Sequence, residues 1–432
     1  MRLILVRPNW VHRWLIGPPI GLGYIVAAMK KAGHECIIYD AWLNNDTPMQ
    51  AANGMPTYEF IMHPYWAIKQ TPIDIVGIQM FSESVNWTKE FIALMRGICP
   101  TTKFIVGGPY VTAVGDKARI EVGADVGISG ECDTDFIKHL NSKQWIKMPY
   151  IDVNEIAIPD WDSMNLPAYW PYMNPASTPT RGKRIGIIQR TRGCNYHCTF
   201  CAAGAIMGHK VRFRDDDNVI EEIEYLKQRW DVNEIWFQDD NVIANYKRGI
   251  QLFERLEPLG IHIRLPYGIR WENVDVGMVQ AMKRAGVYCT GIGIESGNPR
   301  VLARIKKNIN QDKLKEAIRI LAEYDINTIG FFIFGLPTET REEMKDTVKF
   351  ALSTKLHHGQ FGTFIPYPGS EDYNAGQRPK IVEQNELIKI QRNATLRFYL
   401  RPRIIWHYIA HFRWSQLKAL WGHPWVKRWR GK

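Results

Sequence analysis

Residues 184–201 read RIGIIQRTRGCNYHCTFC: a short apolar run leading into three cysteines, Cys194, Cys198 and Cys201. Ile185, Ile187 and Ile188 between basic residues predict a buried strand, with the cysteines on the loop that follows. The spacing is C-x3-C-x2-C, and the chain's other four cysteines are scattered singly. Thiolates are soft ligands that suit zinc or an iron–sulfur cluster. A structural zinc would need a fourth ligand, for which His197 or His209 are the candidates, and it commonly uses a second C-x2-C pair. Three cysteines on a [4Fe-4S] cluster would leave one iron open, as catalytic metal sites keep a position free. Spacing and placement after a strand favour the cluster.

Working outward from this strand, five more strand candidates follow: EIWFQ, IRLPYGI, CTGIGI, TIGFFIF and GQFGTFI. Helical stretches near 217–230, 246–258, 274–285, 311–324 and 340–353 separate them. Six βα units predict a partial (β/α)6 barrel over 184–370, related to the triosephosphate-isomerase barrel, with its chemistry on the loops after the strands. Upstream, RLILVR, ECIIYD, DIVGIQM, KFIVGG and ADVGIS alternate with helical segments such as 21–32, 85–98 and 133–140. This predicts a doubly wound, flavodoxin-like α/β domain over 1–145, with ligands at the C-terminal ends of its strands. Residues 146–183 read as a linker packed by aromatics, and 371–432 as a basic, Trp-rich helical tail.

The net charge of +11 resides in that tail. No acidic residue follows Glu386, and the 11 basic residues from Lys389 to Lys432 account for the whole excess; the remainder carries 44 basic and 44 acidic residues. The body of the protein therefore does not read as a nucleic-acid binder. Trp414, Leu417 and Trp421 recur at helical spacing beside Arg413 and Lys418, with Trp406, Trp425 and Trp429 in the same segment. Three readings stay open for it: packing across the barrel mouth, lying on an anionic membrane, and contact with nucleic acid. No run approaches the roughly 20 apolar residues that span a bilayer, and RLILV is cut short by Arg7 before it could serve as a signal peptide, so a cytoplasmic, reduced-thiol protein with peripheral membrane contact as an option is expected.

Cys194, Cys198, Phe200 and Cys201 match C-x3-C-x-aromatic-C, and here the sequence resembles the radical S-adenosylmethionine superfamily. The resemblance implies a [4Fe-4S] cluster whose open iron chelates S-adenosylmethionine, with Phe200 beside the adenine, and a 5'-deoxyadenosyl radical made by reductive cleavage. It also implies a reductant such as flavodoxin or ferredoxin. Asp239 and Asp240, after the second strand, would accept from the amino group, or else cap a helix. Arg270, after the third, would pair with the carboxylate, or else form a structural salt bridge. Glu295 and Ser296, after the fourth, would bind ribose hydroxyls.

ESGN, GLPTET and PYPGS occur in the order and spacing of the subgroup that carries an N-terminal cobalamin-binding domain. PPIGLGYIVAAMKKAGHECIIYDA, VGIQMFSESV, FIVGGPYVTA and GISGECDT are similar to that domain's successive elements. Ser82, Glu83, Gly107, Gly108 and Gly130 are then the expected cobalamin contacts; a flavodoxin-like domain that binds nothing is the alternative. Residues 1–145 lack D-x-H-x-x-G, which leaves the lower axial ligand open, with His12 as the one nearby imidazole. Cys132 stands where the family usually has glycine. The resemblance implies a cobalamin-dependent methyltransferase acting on an unactivated carbon of a small-molecule or lipid-like substrate. A cobalamin-assisted cyclase or rearrangement enzyme, a radical enzyme without cobalamin, and a zinc-stabilised or electron-transfer protein are the alternatives.

Overall fold

The computed structural model describes residues 1–9, 17–43, 73–140, 144–173, 178–378 and 383–410. His12 and the tail tryptophans Trp414, Trp421, Trp425 and Trp429 lie outside these residues.

The N-terminal domain is built on β1 (Arg2–Arg7), β2 (Glu35–Asp40), β3 (Ile75–Gln79), β4 (Lys103–Gly107), β5 (Val126–Ser129) and β6 (Trp145–Lys147). They form one sheet in the order β2-β1-β3-β4-β5-β6, with every pair parallel. Successive side chains of a strand point to opposite faces, and here both faces are buried. Ile4 and Val6 pack into one hydrophobic cluster with Ile78 and Val106, while Leu3 and Leu5 pack into another with Ile105 and Ile128. Helices α1 (Ile20–Lys31), α2 (Val85–Ile98), α3 (Pro109–Val114) and α4 (Lys117–Val122) connect the strands. The chain reverses its winding between β1 and β3, and such a switch point opens a crevice at the strand C-termini.

Two details differ from the sequence expectation. Residues 133–140 form only a 3-10 turn, Phe136–His139, and Asp133 before it pairs with Arg192. The sheet also gains β6, just past the five expected strands.

The second unit comprises β7 (Ile185–Ile188), α5 (Asp216–Trp230), β8 (Glu234–Phe237), α6 (Tyr246–Leu256), β9 (His262–Ile269), α7 (Val276–Arg284), β10 (Val287–Glu295), α8 (Gln311–Glu323), β11 (Asn327–Phe334), α9 (Arg341–Ser353) and β12 (His358–Thr363). Its strands are parallel and pair in sequential order from β7 to β12, so the sheet curves into the expected open (β/α)6 barrel. Helices α10 (Gln384–Tyr399) and α11 (Pro402–Ala410) follow. Arg401 between them donates to the carbonyls of Leu352, Thr354 and Leu356, tying the pair to the end of α9.

Aromatic and apolar residues of the connecting segment belong to the core. Trp161, Leu166, Tyr169 and Met173 are buried in the same cluster as the barrel strands. Tyr169 donates its hydroxyl to Asp40 at the end of β2, and Trp161 donates its indole N–H to Glu222 of α5. A Cβ on Gly23 of α1 would stand 2.6 Å from the Met164 methyl, so glycine lets this segment nest on the helix.

Candidate active site

The site begins where β7 ends. Asp239, after β8, is buried and accepts from the backbone N–H of Arg190 and from the N–H and hydroxyl of Thr191. Burial outweighs these donors and pushes its carboxyl up to about 6. Thr191–Arg192 then pairs antiparallel with Arg212–Phe213, and this two-stranded ribbon frames the cysteine loop at both ends. Gly193 has φ +91°, and a Cβ there would lie 2.4 Å from the Lys210 carbonyl, so only glycine lets the loop ends close. Cys194 N–H donates to Gly208 O at 3.1 Å.

Between the second and third cysteines the loop is anchored from beyond the sixth strand. The buried Thr199 hydroxyl donates to Asp372 at 2.7 Å, Asp372 N–H returns to Thr199 O, and Arg304 bridges both side chains. Phe200 packs with Leu302 and Ile305, beyond the fourth strand, and with Leu336 and Phe364, at the ends of the fifth and sixth. The short helix Ala203–Met207 follows, and Ala203 N–H donates to Cys201 Sγ at 3.4 Å.

Burial and nearby negative charge raise two of the three thiols. Burial raises Cys194, with smaller contributions from Asp240 and Cys198. Although Cys201 is open to solvent, the protein mass around its thiol, Asp240 and the other two cysteines push it up to about 11. Mutually repelling thiolates beside a carboxylate suit a cationic iron–sulfur centre. His197 and His209 stack on each other, 4.1 Å between ring centres. Three soft thiol ligands on one loop are a donor set that fits a [4Fe-4S] cluster.

Asp239 shapes the turn before the cysteines, and Asp240 stands on the cavity wall. Ser296 is fully buried, bonded to Thr347 Oγ1 at 3.0 Å and accepting from Asn298 N–H, and so organises its own loop. Arg270 forms an ion pair with Glu272 and lies 3.7 Å above the Tyr196 ring, so its guanidinium reaches the cysteine loop through an aromatic face. Glu295 ends β10 at φ +65° and is held by Lys307 Nζ at 2.6 Å, both buried. Lys307 is absent from the sequence reading because nothing in KKNIN marks which lysine turns inward. Its ammonium lies where a Cβ on Gly293 would be, 2.6 Å away, so the glycine in GIGIE is the one available sign.

A cavity of about 540 Å³ joins the two units. From the first domain Gly107, Gly108, Gly130, Gln79 and Phe81 line it; from the barrel Ile187, Trp236, Gln238, Asp240 and Tyr267 do. Gly108 has φ +97°, and a Cβ would meet Gln79 and Met80 at 3.1 Å; at Gly130, φ +86°, it would meet Met148 O at 2.3 Å. Gly107, Gly108 and Gly130 thus form cavity wall, and this backbone-lined crevice fits a broad planar ring such as cobalamin. Ser82 and Glu83 form a 3-10 turn after β3, and the charge of Glu83 acts on Tyr367 of PYPGS. That motif's Gly369 sits where a Cβ would approach Ala113 of α3 and Ala205 of the cysteine-loop helix at 3.0 and 3.2 Å, a three-way junction.

Fold and site together define an enzyme that works between two parallel α/β units, with a thiolate centre on one side and a glycine-walled crevice on the other. Residues 188–351 match the radical SAM superfamily and residues 11–136 the B12 binding domain. The chain is a radical S-adenosylmethionine enzyme with an N-terminal B12-binding domain, and its cofactors are a [4Fe-4S] cluster, S-adenosylmethionine and cobalamin. It is 27% identical, over 94% of both chains, to an uncharacterized methyltransferase of Pyrococcus horikoshii. It is 26% identical, over 82% of this chain and 76% of the other, to cytidylyl-2-hydroxyethylphosphonate methyltransferase of Streptomyces wedmorensis. In fold it resembles the radical S-adenosylmethionine methyltransferase TsrM of Kitasatospora setae, solved with cobalamin and a [4Fe-4S] cluster, at a TM-score of 0.65 and 16% identity over 86% of this chain and 77% of that one.

Proposed function

We propose that this enzyme transfers a methyl group to an unactivated carbon of an apolar small molecule, lipid-like or aromatic, held in the cavity between its two domains. The cavity itself carries this reading: one wall is the glycine crevice, and the other lies beside the cysteine loop. When bound, the cluster with S-adenosylmethionine supplies hydrogen abstraction and cobalamin supplies the methyl group.

The chain's own residues bind, orient and shield. Cys194, Cys198 and Cys201 would hold the cluster with one iron left for S-adenosylmethionine, and Asp240 on the cavity wall would offer a carboxylate to its amino group. Phe200 offers an apolar surface for the adenine, and the Glu295–Lys307 pair offers polar atoms to the ribose and carboxylate. Ile187, Trp236, Ile206 and Met207 give the substrate a mainly apolar wall, while Tyr267, with Gln238 Nε2 3.4 Å from its hydroxyl, supplies a neutral polar handle. Tyr267 is turned inward by an irregularity in β9, where pairing with β10 slips between Leu265 and Ile269 and Gly268 takes φ +103°. Electrons come from an external reductant such as flavodoxin or ferredoxin.

A peripheral contact with an anionic membrane is supported by α10 and α11. They and the turn between them expose Leu396, Leu400, Ile405, Trp406 and Ile409, and a run of basic residues without acids extends beyond them. No helix among the described residues is long and apolar enough to cross a membrane.

The deciding experiment is anaerobic turnover of cluster-reconstituted, cobalamin-loaded protein with candidate substrates, followed by mass analysis. A product heavier by one methyl group, with 5'-deoxyadenosine and S-adenosylhomocysteine, is expected, and Cys198→Ala should abolish all three. An anaerobic magnesium-protoporphyrin IX monomethyl ester cyclase of Cereibacter sphaeroides is 24% identical over 94% of this chain. A product formed with 5'-deoxyadenosine but without an added methyl would move the assignment to cyclisation.

A further inference from the structure

The loop after β5, GECD at 130–133, touches both cofactor sites at once. Gly130, Glu131, Cys132 and Asp133 all line the cavity. Its two acids grip the two arginines of the ribbon that frames the cysteine loop. Arg192, two residues before Cys194, reaches Asp133 with both terminal nitrogens, at 2.7 and 3.3 Å. Arg212, on the returning strand, reaches Glu131 with both of its own, at 2.6 Å each. All four side chains are at most 15% exposed.

The grip is braced on both sides. Glu131 also accepts from Ile151 N–H at 2.9 Å, Arg212 also donates to Met207 O at 3.0 Å within the cysteine loop, and Gly130 N–H is held by Thr112 Oγ1. Two-pronged guanidinium–carboxylate pairs in a dry interface fix orientation as well as distance. The cysteine loop is thus attached at its two ends to a four-residue segment whose other side is cavity wall.

We propose that this double latch couples the two cofactor sites: filling the cavity with cobalamin orders loop 130–133, and the Asp133–Arg192 and Glu131–Arg212 pairs pass that order to residues 193–211, which hold the cluster. Glu131 and Asp133 are on this account positioning residues for the cluster. The idea rests on cobalamin lying in the shared cavity. Coupling between sites is reciprocal, so a loaded cluster must tighten cobalamin by the factor with which cobalamin favours the cluster-competent loop.

Hydrogen exchange on the full-length chain tests it, with hydroxocobalamin as the probe and its binding followed separately by absorbance. In the cluster-free protein, saturating hydroxocobalamin should slow exchange of the amides of 193–211 by roughly 5- to 150-fold, and cluster reconstitution should tighten hydroxocobalamin by the same factor. The Glu131→Gln/Asp133→Asn variant should still bind hydroxocobalamin yet lose that protection. Where the double variant does not fold, Arg192→Lys, which keeps the charge but not the two-pronged grip, should lower the protection in its place. Hydroxocobalamin binding that leaves 193–211 unchanged in the parent chain, or full protection in the folded variants, overturns the latch while leaving the proposed methyl transfer intact. Absence of hydroxocobalamin binding overturns the cavity assignment and the latch together.

Discussion

The carboxylate of Asp239 holds the Thr191 hydroxyl at 2.6 Å and accepts the backbone N–H of both Arg190 and Thr191, so one buried acid fixes the turn three residues before Cys194. Its carboxyl is pushed from 3.8 up to about 6 by burial. A raised carboxyl binds a proton in the folded state that the unfolded state lacks, so its contribution to stability is greatest below about 4 and is lost as pH rises through about 6. Asp239→Asn cannot titrate. The stability gap between variant and parent, from urea unfolding, should narrow by up to roughly 3 kcal/mol between about pH 4 and pH 7. A gap that is constant with pH would contradict this role.

Gly107 separates cavity shape from folding. A Cβ there would meet only the Ile128 carbonyl, at 3.4 Å, and φ is not positive, so a side chain adds no backbone strain. Gly107→Val should therefore keep the parent melting temperature to within a few degrees, while placing two methyl groups in the crevice and weakening hydroxocobalamin at least about tenfold, or about 1.4 kcal/mol. Unaltered affinity by absorbance titration would place the corrin elsewhere.

Lys307 and Glu295 form a buried pair at the barrel mouth. Lys307→Met leaves a buried carboxylate without its partner and should lower the unfolding free energy by about 3–5 kcal/mol. The Glu295→Gln/Lys307→Met combination should recover most of that loss, because neither charge is then stranded. Equal destabilisation of the single and double variants in urea titrations would show that the two residues do not act as a pair.

Membrane contact through α11 predicts that the full chain co-sediments with phosphatidylglycerol vesicles and not with phosphatidylcholine vesicles at about 0.15 M salt. Trp406→Glu/Ile409→Glu should abolish the association without affecting cluster loading. Sedimentation of the variant equal to that of the parent would assign the exposed face another role.

Patterns confined to one stretch of chain were legible in the sequence. Alternating apolar runs marked the strands of both sheets, since Leu3 and Ile4 bury on opposite faces whatever surrounds them. The cysteine triplet was legible because three ligands fall within eight residues. Roles set by neighbours distant in sequence were not. FQDDN does not say which aspartate turns toward Thr191, and ESGN does not show that Ser296 meets Thr347 of α9. FSESV places Ser82 and Glu83 after a strand that ends at a cavity, but does not show that they form a 3-10 turn while Gln79 and Phe81 line the wall. GECDT reads as a departure from a glycine-rich pattern, and its partners Arg192 and Arg212 lie about sixty and eighty residues downstream.

Tyr169 on Asp40 and Trp161 on Glu222 bear on how far the two halves can be separated. The segment between the two matched domains is a shared beam whose aromatics belong to the barrel core and whose polar tips reach into both halves. A cut before Trp161 would separate Tyr169 from Asp40, and a cut after Met173 would separate Trp161 from Glu222, so no break in this segment leaves both halves with all their partners.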